Sequence, residues 1–553
     1  MRNKIFAFSI LICLLNCLNT AYALPAGGQK IMIAAASQYA VNYGKEISKK
    51  GGNVVDVACA VGLTMAVTNP YFASLGGGGF ALFRVGKNTE ALDFREVAPA
   101  RTSPDYYENK PKDSSVLGGN AVGVPGMLMG YYELHKKFGK LKWTDILEGP
   151  IQLAQKGFEI TNELNVRTED FKGKFNPYGL ALFFKQSQVS YKPGEVFKQP
   201  GLAKALQIAK SGPKGFYQGQ VAQDLVEAVQ KSGGILSLDD LKAYKVRWLK
   251  PMNTNFMDHT FYLMPPPSSG GVVLTTILKL IEMRNLKAQK PQSLDEAHLL
   301  AEIFHRAFRG RALLGDPDFN TNPIEQLLSA ANILSLNNTI NPQKRVQLQP
   351  AEKEIRPQPI ESTETTHFSI LDANGDAVAM TITLNGSFGS GVVSKKFGIT
   401  LNNEMDDFTT KPKEPNVYGL IQGTANKVEP GKRPLSSMTP TLVEKDGKII
   451  LVVGAQGGPR IISSVAQVIY RNLLNNFNIE ESINTPRIHA QFMPAIVYLD
   501  QKRWSPELLD GLRSRGHQVE ESWMGRVYGV RLTTRGLLEG AADNRVEGTA
   551  GGY

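Results

Sequence analysis

The stretch "ESTETTHFSILDANGDAVAMTITLN", residues 361–385, decides the fold. Two runs rich in β-branched and apolar residues flank "DANGD", whose Asn-Gly pair is typical of a tight hairpin turn. A three-residue loop, residues 373–375, would place Thr365 opposite Thr383, whereas a two-residue loop would place Thr365 opposite Leu384. The sequence therefore predicts a β-hairpin that begins with a polar Thr-Thr-His cluster, and it favours the first register.

A threonine pair at the start of a strand has two interpretations. Threonine is β-branched and suits strands, so the pair can be ordinary strand sequence. An N-terminal threonine nucleophile, in contrast, needs a hydroxyl, its own free amine as base and a second hydroxyl nearby, which Thr365 and Thr383 would supply. That amine is free only if the chain is cut between Glu364 and Thr365. This hypothesis predicts a large fragment, residues 24–364, and a small catalytic fragment, residues 365–553.

The first 23 residues have the pattern of a secretory signal peptide. A basic start is followed by an apolar run over residues 5–18 and by Ala-Tyr-Ala at 21–23, a small-residue cleavage site. The apolar run is shorter than the roughly 20 residues that a membrane span needs. A lipoprotein signal ending at Cys17 is an alternative that Asn16 disfavours. We expect export to a periplasm or to the medium, with no stable membrane insertion after signal removal.

Composition excludes several classes of protein. The formal charge of +11 is dispersed, without an aromatic-interleaved basic patch, so nucleic acid is not an expected partner. The two other cysteines lie in the signal segment, which leaves Cys59 and no intrachain disulfide. No serine has glycines two residues away on both sides, and HExxH and CxxC motifs are missing. His298, Glu302 and His305 are poorly spaced for zinc, and we predict neither a metal nor an organic cofactor.

Outside the hairpin, helix-like and strand-like periods alternate. Residues 38–50 predict a helix that stops at the glycines that follow, and Asp56 is a candidate cap for a helix that ends before Pro70. Residues 298–312 have a strong helical pattern. The stretch 320–364 is polar and proline-dotted, and its part "NPQKRVQLQPAEKEIRPQPIESTE", residues 341–364, predicts an exposed linker, after which strand patterns dominate.

Two glycine-rich stretches invite a functional interpretation. "SLGGGGF", residues 74–80, lacks the Lys-Ser/Thr of a phosphate-binding loop and predicts a tight turn or a close backbone approach. Residues 448–476 predict a buried strand, a glycine turn and a helix with Pro459 near its first turn. The backbone amides of Gly457 and Gly458 could point at an anion there, although an ordinary strand-to-helix connection has the same pattern.

Nine ordered motifs resemble one known family. "TTHFSILD", "TLNGSFGSG", "LNNEMDDF", "RPLSSMTPT" and "GAQGGPRI" resemble the small subunit of gamma-glutamyltransferases. "GGNVVDVACAVGLTMAVTNPYFASLGGGGF", "LDFREVAPA", "MPPPSSGG" and "LGDPDF" resemble the large subunit, so the similarity runs from about residue 29 to the final "GTAGGY".

The resemblance implies an N-terminal-nucleophile hydrolase with an α+β fold. This fold is a four-layer αββα sandwich, in which two stacked, mainly antiparallel sheets are flanked by helices. The family's precursor cleaves itself, and the two fragments stay together as a heterodimer that forms one compact unit. The implied cleavage site is the bond between Glu364 and Thr365.

The resemblance also assigns roles to residues of this chain. Thr365 matches the family's nucleophile, Thr383 matches the threonine that hydrogen-bonds it, and Gly457 and Gly458 match the oxyanion hole. The positions that match those holding the donor's α-amino group are Asn385, Glu404 and Asp407, and those for its α-carboxylate are Arg95, Ser436 and Ser437. Tyr418 falls where many bacterial members have a lid.

Physical chemistry agrees with the two groups of binding residues. A cation and hydroxyls suit a carboxylate, and acidic groups suit an ammonium ion. Taken in isolation, "NNEMDDF" would be a solvated acidic turn and Arg95 an ordinary ion-pair partner.

The reaction implied is cleavage of the γ-glutamyl amide of glutathione or a related compound. Thr365 would form an acyl-enzyme, which water or an acceptor amino acid or dipeptide would then resolve. A β-lactam side-chain acylase, such as a glutaryl-cephalosporin acylase, is an alternative with the same fold. An exported solute-binding protein is an alternative from another class, and it predicts a single uncut chain.

Overall fold

A computed structural model of the protein describes residues 24–186, 188–348, 365–410 and 423–553. Two seven-stranded sheets stack face to face, and helices cover both outer faces. The expected four-layer αββα sandwich is therefore confirmed. Among the described residues, no helix is long and apolar enough to cross a membrane.

The strands are numbered along the chain. They are β1 (Ala26–Gly28), β2 (Ile31–Ala35), β3 (Gly78–Val85), β4 (Asn88–Asp93), β5 (Phe158–Glu159), β6 (Val196–Phe197), β7 (Arg247–Leu249), β8 (Met252–Phe256), β9 (His259–Leu263), β10 (Thr365–Asp372), β11 (Ala377–Thr383), β12 (Thr441–Lys445), β13 (Lys448–Gln456), β14 (Ile488–Ala490), β15 (Ile496–Asp500), β16 (Gln518–Ser522), β17 (Arg526–Leu532), β18 (Leu538–Ala542) and β19 (Thr549–Gly552).

The helices are numbered in the same way. They are α1 (Gln38–Lys49), α2 (Val54–Thr68), α3 (Met127–Phe138), α4 (Trp143–Lys156), α5 (Asn162–Phe171), α6 (Pro177–Phe183), α7 (Pro200–Ala209), α8 (Lys214–Gln218), α9 (Gln220–Lys231), α10 (Leu238–Ala243), α11 (Gly270–Met283), α12 (Leu294–Ala307), α13 (Ile324–Leu328), α14 (Ala330–Asn338), α15 (Arg460–Leu474), α16 (Ile479–Asn484) and α17 (Pro506–Ser514).

Both large sheets are antiparallel throughout. The β10 sheet has the order β19-β2-β10-β11-β3-β4-β7, and the β13 sheet has the order β1-β18-β17-β13-β12-β9-β8. Strands β10 and β11 pack on β13 across the interior, α1 and α2 cover the β10 sheet, and α15 covers the β13 sheet. Strands β11 and β13 are buried along nearly their whole length and are rich in apolar residues, whereas β10 buries Thr365, Thr366, His367 and Ser369 among its apolar residues.

The hairpin has the favoured register. Thr365 lies opposite Thr383, and the amide of Asp372 donates to the carbonyl oxygen of Asp376 at 2.9 Å, which closes a three-residue loop. Gly375 supplies the left-handed backbone that this loop needs, with φ of +93°. The local turn chemistry therefore determines which residues face each other at the far end of the hairpin.

One expectation about local structure is wrong. Asn53, not Asp56, is the N-cap of α2, because the Asn53 side chain accepts from the first-turn amides while Asp56 closes a capping box from the third position. The polar stretch that precedes the predicted linker contains α13 and α14, and Ser329 caps α14. Residues 349–364 lie outside the described residues, whereas the helix expected over 298–312 is confirmed as α12 and a following 3₁₀ turn.

The glycines of "SLGGGGF" allow β3 to approach β11 closely. A Cβ on Gly77 would lie 2.1 Å from the carbonyl oxygen of Thr383, and a Cβ on Gly79 would lie 2.3 Å from that of Thr381. A close backbone approach, as the sequence predicts, is confirmed, and it fixes the end of β11 where Thr383 lies.

We predict that Gly77→Ala destabilises the protein. Its new methyl group would overlap the carbonyl of Thr383, and relief requires a backbone shift, so we expect a loss of about 1–3 kcal/mol in the free energy of unfolding. Gly173→Ala is the control, because a Cβ there would have no neighbour within 4 Å. Thermal melting of both variants measures the effect, and an unchanged melting temperature in Gly77→Ala would contradict the overlap.

Candidate active site

The two threonines at the open end of the hairpin lie close together. Thr365 Oγ1 is 3.3 Å from Thr383 Oγ1, and the amide of Asn385 donates to Thr383 Oγ1 at 2.8 Å. Both hydroxyls are buried, at 4% and 2% exposure. Asn385 has φ of +69°, a turn conformation that asparagine tolerates better than most residues. The pairing of β10 with β11 thus places two hydroxyls next to each other at the open end of the hairpin, where β10 begins and β11 ends.

A pocket lies beside this open end of the hairpin. Residues from both predicted fragments line it, although they are far apart in sequence. The lining consists of Arg95, Arg311, Thr365, Thr383, Asn385, Glu404, Asp407, Ser436, Ser437, Met438, Gly458, Pro459 and Ile461. The structure thus brings together the residues that the sequence places in the site, except Gly457, which lies next to it in the turn, and Tyr418, which lies outside the described residues together with Glu364.

Arg95 forms ion pairs within this pocket. Its Nη1 donates to Glu404, and its Nη2 donates to Asp407 Oδ2 at 2.5 Å. Glu404 and Asp407 lie in one 3₁₀ turn, Glu404–Asp407, so their carboxylates reach the same guanidinium. The predicted carboxylate-binding cation and the predicted ammonium-binding acids therefore pair with each other in this structure.

Burial controls the protonation of the neighbouring carboxyls. Glu96 lies 3.9 Å from Arg95 Nη1, and burial raises the pKa of Glu96 to about 8 despite that cation. Burial likewise raises the pKa of Glu404 well above its usual range, more than Arg95 lowers it. For Arg95, burial alone would lower the pKa, but the charges of Glu404 and Asp407 outweigh burial and raise it. Arg95 is therefore a permanent cation, and two of the carboxyls beside it, Glu96 and Glu404, hold protons more firmly than usual.

Sequence reasoning did not identify two ionisable groups at this site. Arg311 lines the pocket at 4% exposure, and burial lowers its pKa to about 10, although Asp407 partly offsets the effect. Glu96 lies directly behind Arg95. The position of Glu96 next to Arg95 in "DFREVAPA" is a feature that could have identified it. Arg311 lies in the stretch 298–312, whose pattern indicates only a helix.

The two serines differ in their hydrogen bonds. Ser436 Oγ accepts from the amide of Met438 at 3.1 Å. Ser437 Oγ is buried and has no hydrogen-bond partner within the described parts of the chain. Because a buried hydroxyl without a partner is costly, Ser437 is suited to bind a group that enters the pocket.

The glycine turn connects β13 to α15. Gly457 and Gly458 have φ of +121° and +55°, and Pro459 is the N-cap of the helix. Both backbone conformations favour glycine. The start of α15 consequently lies beside the threonine pair, with Gly458 and Pro459 both in the pocket lining.

The histidines near the hairpin and on α12 have structural roles. His367 bonds Thr381 Oγ1 at 2.8 Å and Ser369 Oγ at 3.0 Å, and burial lowers its pKa to about 3. His298 Nδ1 lies 2.8 Å from His517 Nε2, within hydrogen-bond distance. This contact gives His298 a role in packing. In the chain segments that the structure describes, no group of three or more metal-ligating side chains is found.

Solved structures of two other proteins resemble this chain. A cephalosporin acylase from Bacillus halodurans has a TM-score of 0.84 over 97% of this chain and 98% of its own, at 22% identity, which concerns the fold alone. A gamma-glutamyltranspeptidase from Helicobacter pylori has a TM-score of 0.56 and 32% identity, over 62% of this chain and 99% of that chain.

Similarity in sequence to known proteins extends over nearly the whole chain. The glutathione hydrolase proenzyme of Escherichia coli (strain K12) is 39% identical over 544 residues, 96% of this chain and 93% of that protein. A family model described as Gamma-glutamyltranspeptidase matches residues 40–553. The chain therefore belongs to the gamma-glutamyltranspeptidase family.

Proposed function

We propose that this enzyme is a self-processing gamma-glutamyltransferase and glutathione hydrolase that uses Thr365 as its nucleophile. The single observation that carries the proposal is the contact of Thr365 Oγ1 with Thr383 Oγ1 at 3.3 Å, in a pocket that also contains Arg95 and two acidic residues. The name of the E. coli relative, glutathione hydrolase proenzyme, supports glutathione as donor.

The proposed chemistry needs only groups of this chain. Thr365 Oγ attacks the γ-carbonyl of the donor, and the freed amine of Thr365 takes the hydroxyl proton. The amides of Gly457 and Gly458 stabilise the oxyanion, and Thr383 orients the attacking hydroxyl. The C–N bond then breaks, the amine of Thr365 returns the proton to the leaving amine, and water or an amino acid or dipeptide takes the glutamyl group from Thr365.

The charge pattern of the pocket fits the head group of a γ-glutamyl donor. Arg95, Ser436 and Ser437 would bind its α-carboxylate, while Asn385, Glu404 and Asp407 would bind its α-ammonium. In this structure the opposite charges of the pocket satisfy each other. A donor with an α-carboxylate and an α-ammonium can pair with Arg95 and with the two acidic residues at the same time. A ligand with only one of these charges would leave either Arg95 or the acidic residues buried without a partner.

Self-cleavage and a heterodimer are part of the proposal. The H. pylori chain matches 62% of this chain over 99% of its own length, and residues 24–364 make up about 62% of the 553 residues here. The word proenzyme in the E. coli relative's name also supports processing. We further propose removal of residues 1–23 and export to a periplasm or to the medium, on the pattern of the signal segment.

The two alternative functions have weaker support. The likeness to a cephalosporin acylase at 22% identity concerns fold alone, and a glutaryl side chain lacks the α-ammonium that Glu404 and Asp407 would bind. Hydrolysis of γ-glutamyl-p-nitroanilide faster than that of a glutaryl-cephalosporin is the expected result. The family assignment leaves the solute-binding hypothesis without support.

The first prediction of this proposal concerns processing. Wild-type protein should yield two bands on a denaturing gel, and the smaller should begin Thr-Thr-His-Phe by N-terminal sequencing. Thr365→Ala should remain one chain, because it lacks the hydroxyl that attacks the preceding carbonyl. Thr383→Val serves as a comparison, since it keeps Thr365 but removes the neighbouring hydroxyl. An intact wild-type chain with full activity would exclude the N-terminal-threonine mechanism.

A second prediction concerns the head-group residues. Arg95→Ala and Asp407→Ala each leave a donor charge unpaired, which should cost roughly 2–5 kcal/mol of donor binding or transition-state stabilisation. We expect both variants to process themselves while kcat/KM for γ-glutamyl-p-nitroanilide falls. Lys245→Ala, a change of a charged residue outside the pocket lining, is the control. Wild-type kinetics in both pocket variants would remove these residues from donor binding.

A third prediction concerns pH. Burial raises the pKa of the Glu404 carboxyl, whereas a bound ammonium ion favours its ionised form, so ligand binding is linked to release of any proton that this carboxyl holds. Proton loss becomes easier as pH rises, so the Ki of L-glutamate should fall with rising pH until the ligand's own ammonium deprotonates. Glu404→Gln should flatten this dependence, and Glu108→Gln, at an exposed position, should not. A Ki that rises with pH in wild type would contradict the assignment.

A further inference from the structure

The turn that contains Gly457 is covered by residues 523–525. A Cβ on Gly457 would lie 2.8 Å from Trp523 Cζ3 and 3.0 Å from the Cα of Gly525. In the reverse direction, a Cβ on Gly525 would lie 2.9 Å from the carbonyl oxygen of Gln456. The two segments are therefore in direct contact, without room for a side chain at either glycine.

Arg460, the first residue of α15, strengthens this contact. Its guanidinium carbon lies 4.0 Å from the centroid of the Trp523 ring, and its Nη1 donates to the carbonyl oxygen of Trp523 at 2.5 Å. The ring of Tyr498 lies 4.8 Å from the same guanidinium. Trp523 is thus attached both to the glycine turn and to the start of the helix that follows it.

A glycine turn needs such support because it has no side chains of its own. Gly457 and Gly458 have φ of +121° and +55°, but glycine can adopt many other backbone conformations at little energetic cost. Packing by neighbours must therefore keep their amides in a fixed direction. The indole of Trp523 is a large side chain that packs against Gly457. Gly458, the next residue, lines the pocket.

We propose that Trp523 is a positioning residue for the oxyanion hole. Its indole holds Gly457, and its contact with Arg460 holds the start of α15, so that the amides of Gly457 and Gly458 stay aimed at the tetrahedral intermediate. This inference rests on the oxyanion role proposed above for the glycine turn. Trp523 acts through the turn and exchanges no proton or electron.

Loss of this support should affect the transition state more than the bound donor. The oxyanion forms only after Thr365 Oγ has added to the γ-carbonyl, and it disappears when the C–N bond breaks. The head-group residues Arg95 and Asp407 belong to other segments, so donor binding should remain. A displacement of the amides by about 1 Å can cost roughly 100-fold in rate.

The test compares Trp523→Leu with Trp143→Leu. Trp143 is a matched control, because it is also partly buried and its indole donates to the carbonyl of Ala209, on the helical layer. For each variant the processed fraction is first measured on a gel. The kcat for γ-glutamyl-p-nitroanilide is calculated per processed enzyme, and KM is measured in the same assay. Inhibition by L-glutamate is compared with inhibition by its γ-boronic acid analogue, which becomes tetrahedral on Thr365.

The inference expects Trp523→Leu to lose kcat and boronate affinity together, each by roughly 100-fold, with KM and the Ki of L-glutamate unchanged. Trp523→Phe, which keeps a ring over Arg460, should lose less, and Trp143→Leu should match wild type. Equal losses for boronate and glutamate, or no loss of either, would overturn the inference.

Gly457→Ala separates failure of this inference from failure of the proposed function. Its Cβ would displace the turn, so the proposed function expects loss of kcat and of boronate affinity. Wild-type values in Gly457→Ala would reject the oxyanion role itself. Loss in Gly457→Ala but not in Trp523→Leu would reject only the role of Trp523.

Discussion

The antiparallel pairing of β10 with β11 is the interaction on which the pocket depends. It places the hydroxyls of Thr365 and Thr383 within 3.3 Å of each other, and the glycines of β3 hold the end of β11 against displacement. Because backbone hydrogen bonds of a central sheet hold both threonines, no mobile loop is needed to bring them together. The proposed chemistry then needs one further event, the cut before Thr365.

The second constraint is the charge in the pocket. One guanidinium, Arg95, lies among the carboxyls of Glu96, Glu404 and Asp407, all in surroundings that disfavour unpaired charge. Burial raises the pKa of Glu96 to about 8 and raises the pKa of Glu404 as well, so both carboxyls take up a proton more readily than carboxyls in water. An α-amino acid head group can enter at low electrostatic cost, because it offers one charge of each sign for the pairs that it replaces.

Local chemistry explains which features the sequence could predict. The Asn-Gly turn predicted the hairpin, and the structure has the favoured one of the two registers that this turn allowed. The strand–turn–helix around Gly457 followed from glycine and proline placement. The grouping of Arg95 with Asp407 came from resemblance to a family, since no spacing rule connects residues this far apart. Turn and helix signals act over a few residues, whereas pocket contacts depend on the packing of whole layers.

The features that sequence reasoning missed share a physical cause. Glu96, Arg311 and Trp523 matter through burial and through neighbours from distant segments, which their own flanking residues do not reveal. Helices α13 and α14 were hidden by prolines and polar residues that also occur in linkers. At the start of α2, two polar residues share one capping box, so composition alone could not rank Asn53 above Asp56.

The central claim is that the hydroxyl of Thr365 carries the glutamyl group during turnover. Mass spectrometry of enzyme quenched with acid during hydrolysis of a γ-glutamyl donor tests this claim most directly. The account predicts that the fragment beginning at Thr365 gains the mass of one glutamyl group, that peptide mapping places it on Thr365, and that an acceptor dipeptide removes it. Glutamyl modification of another residue instead of Thr365, or turnover with no covalent adduct on this fragment in samples quenched before and during the steady state, would contradict the account.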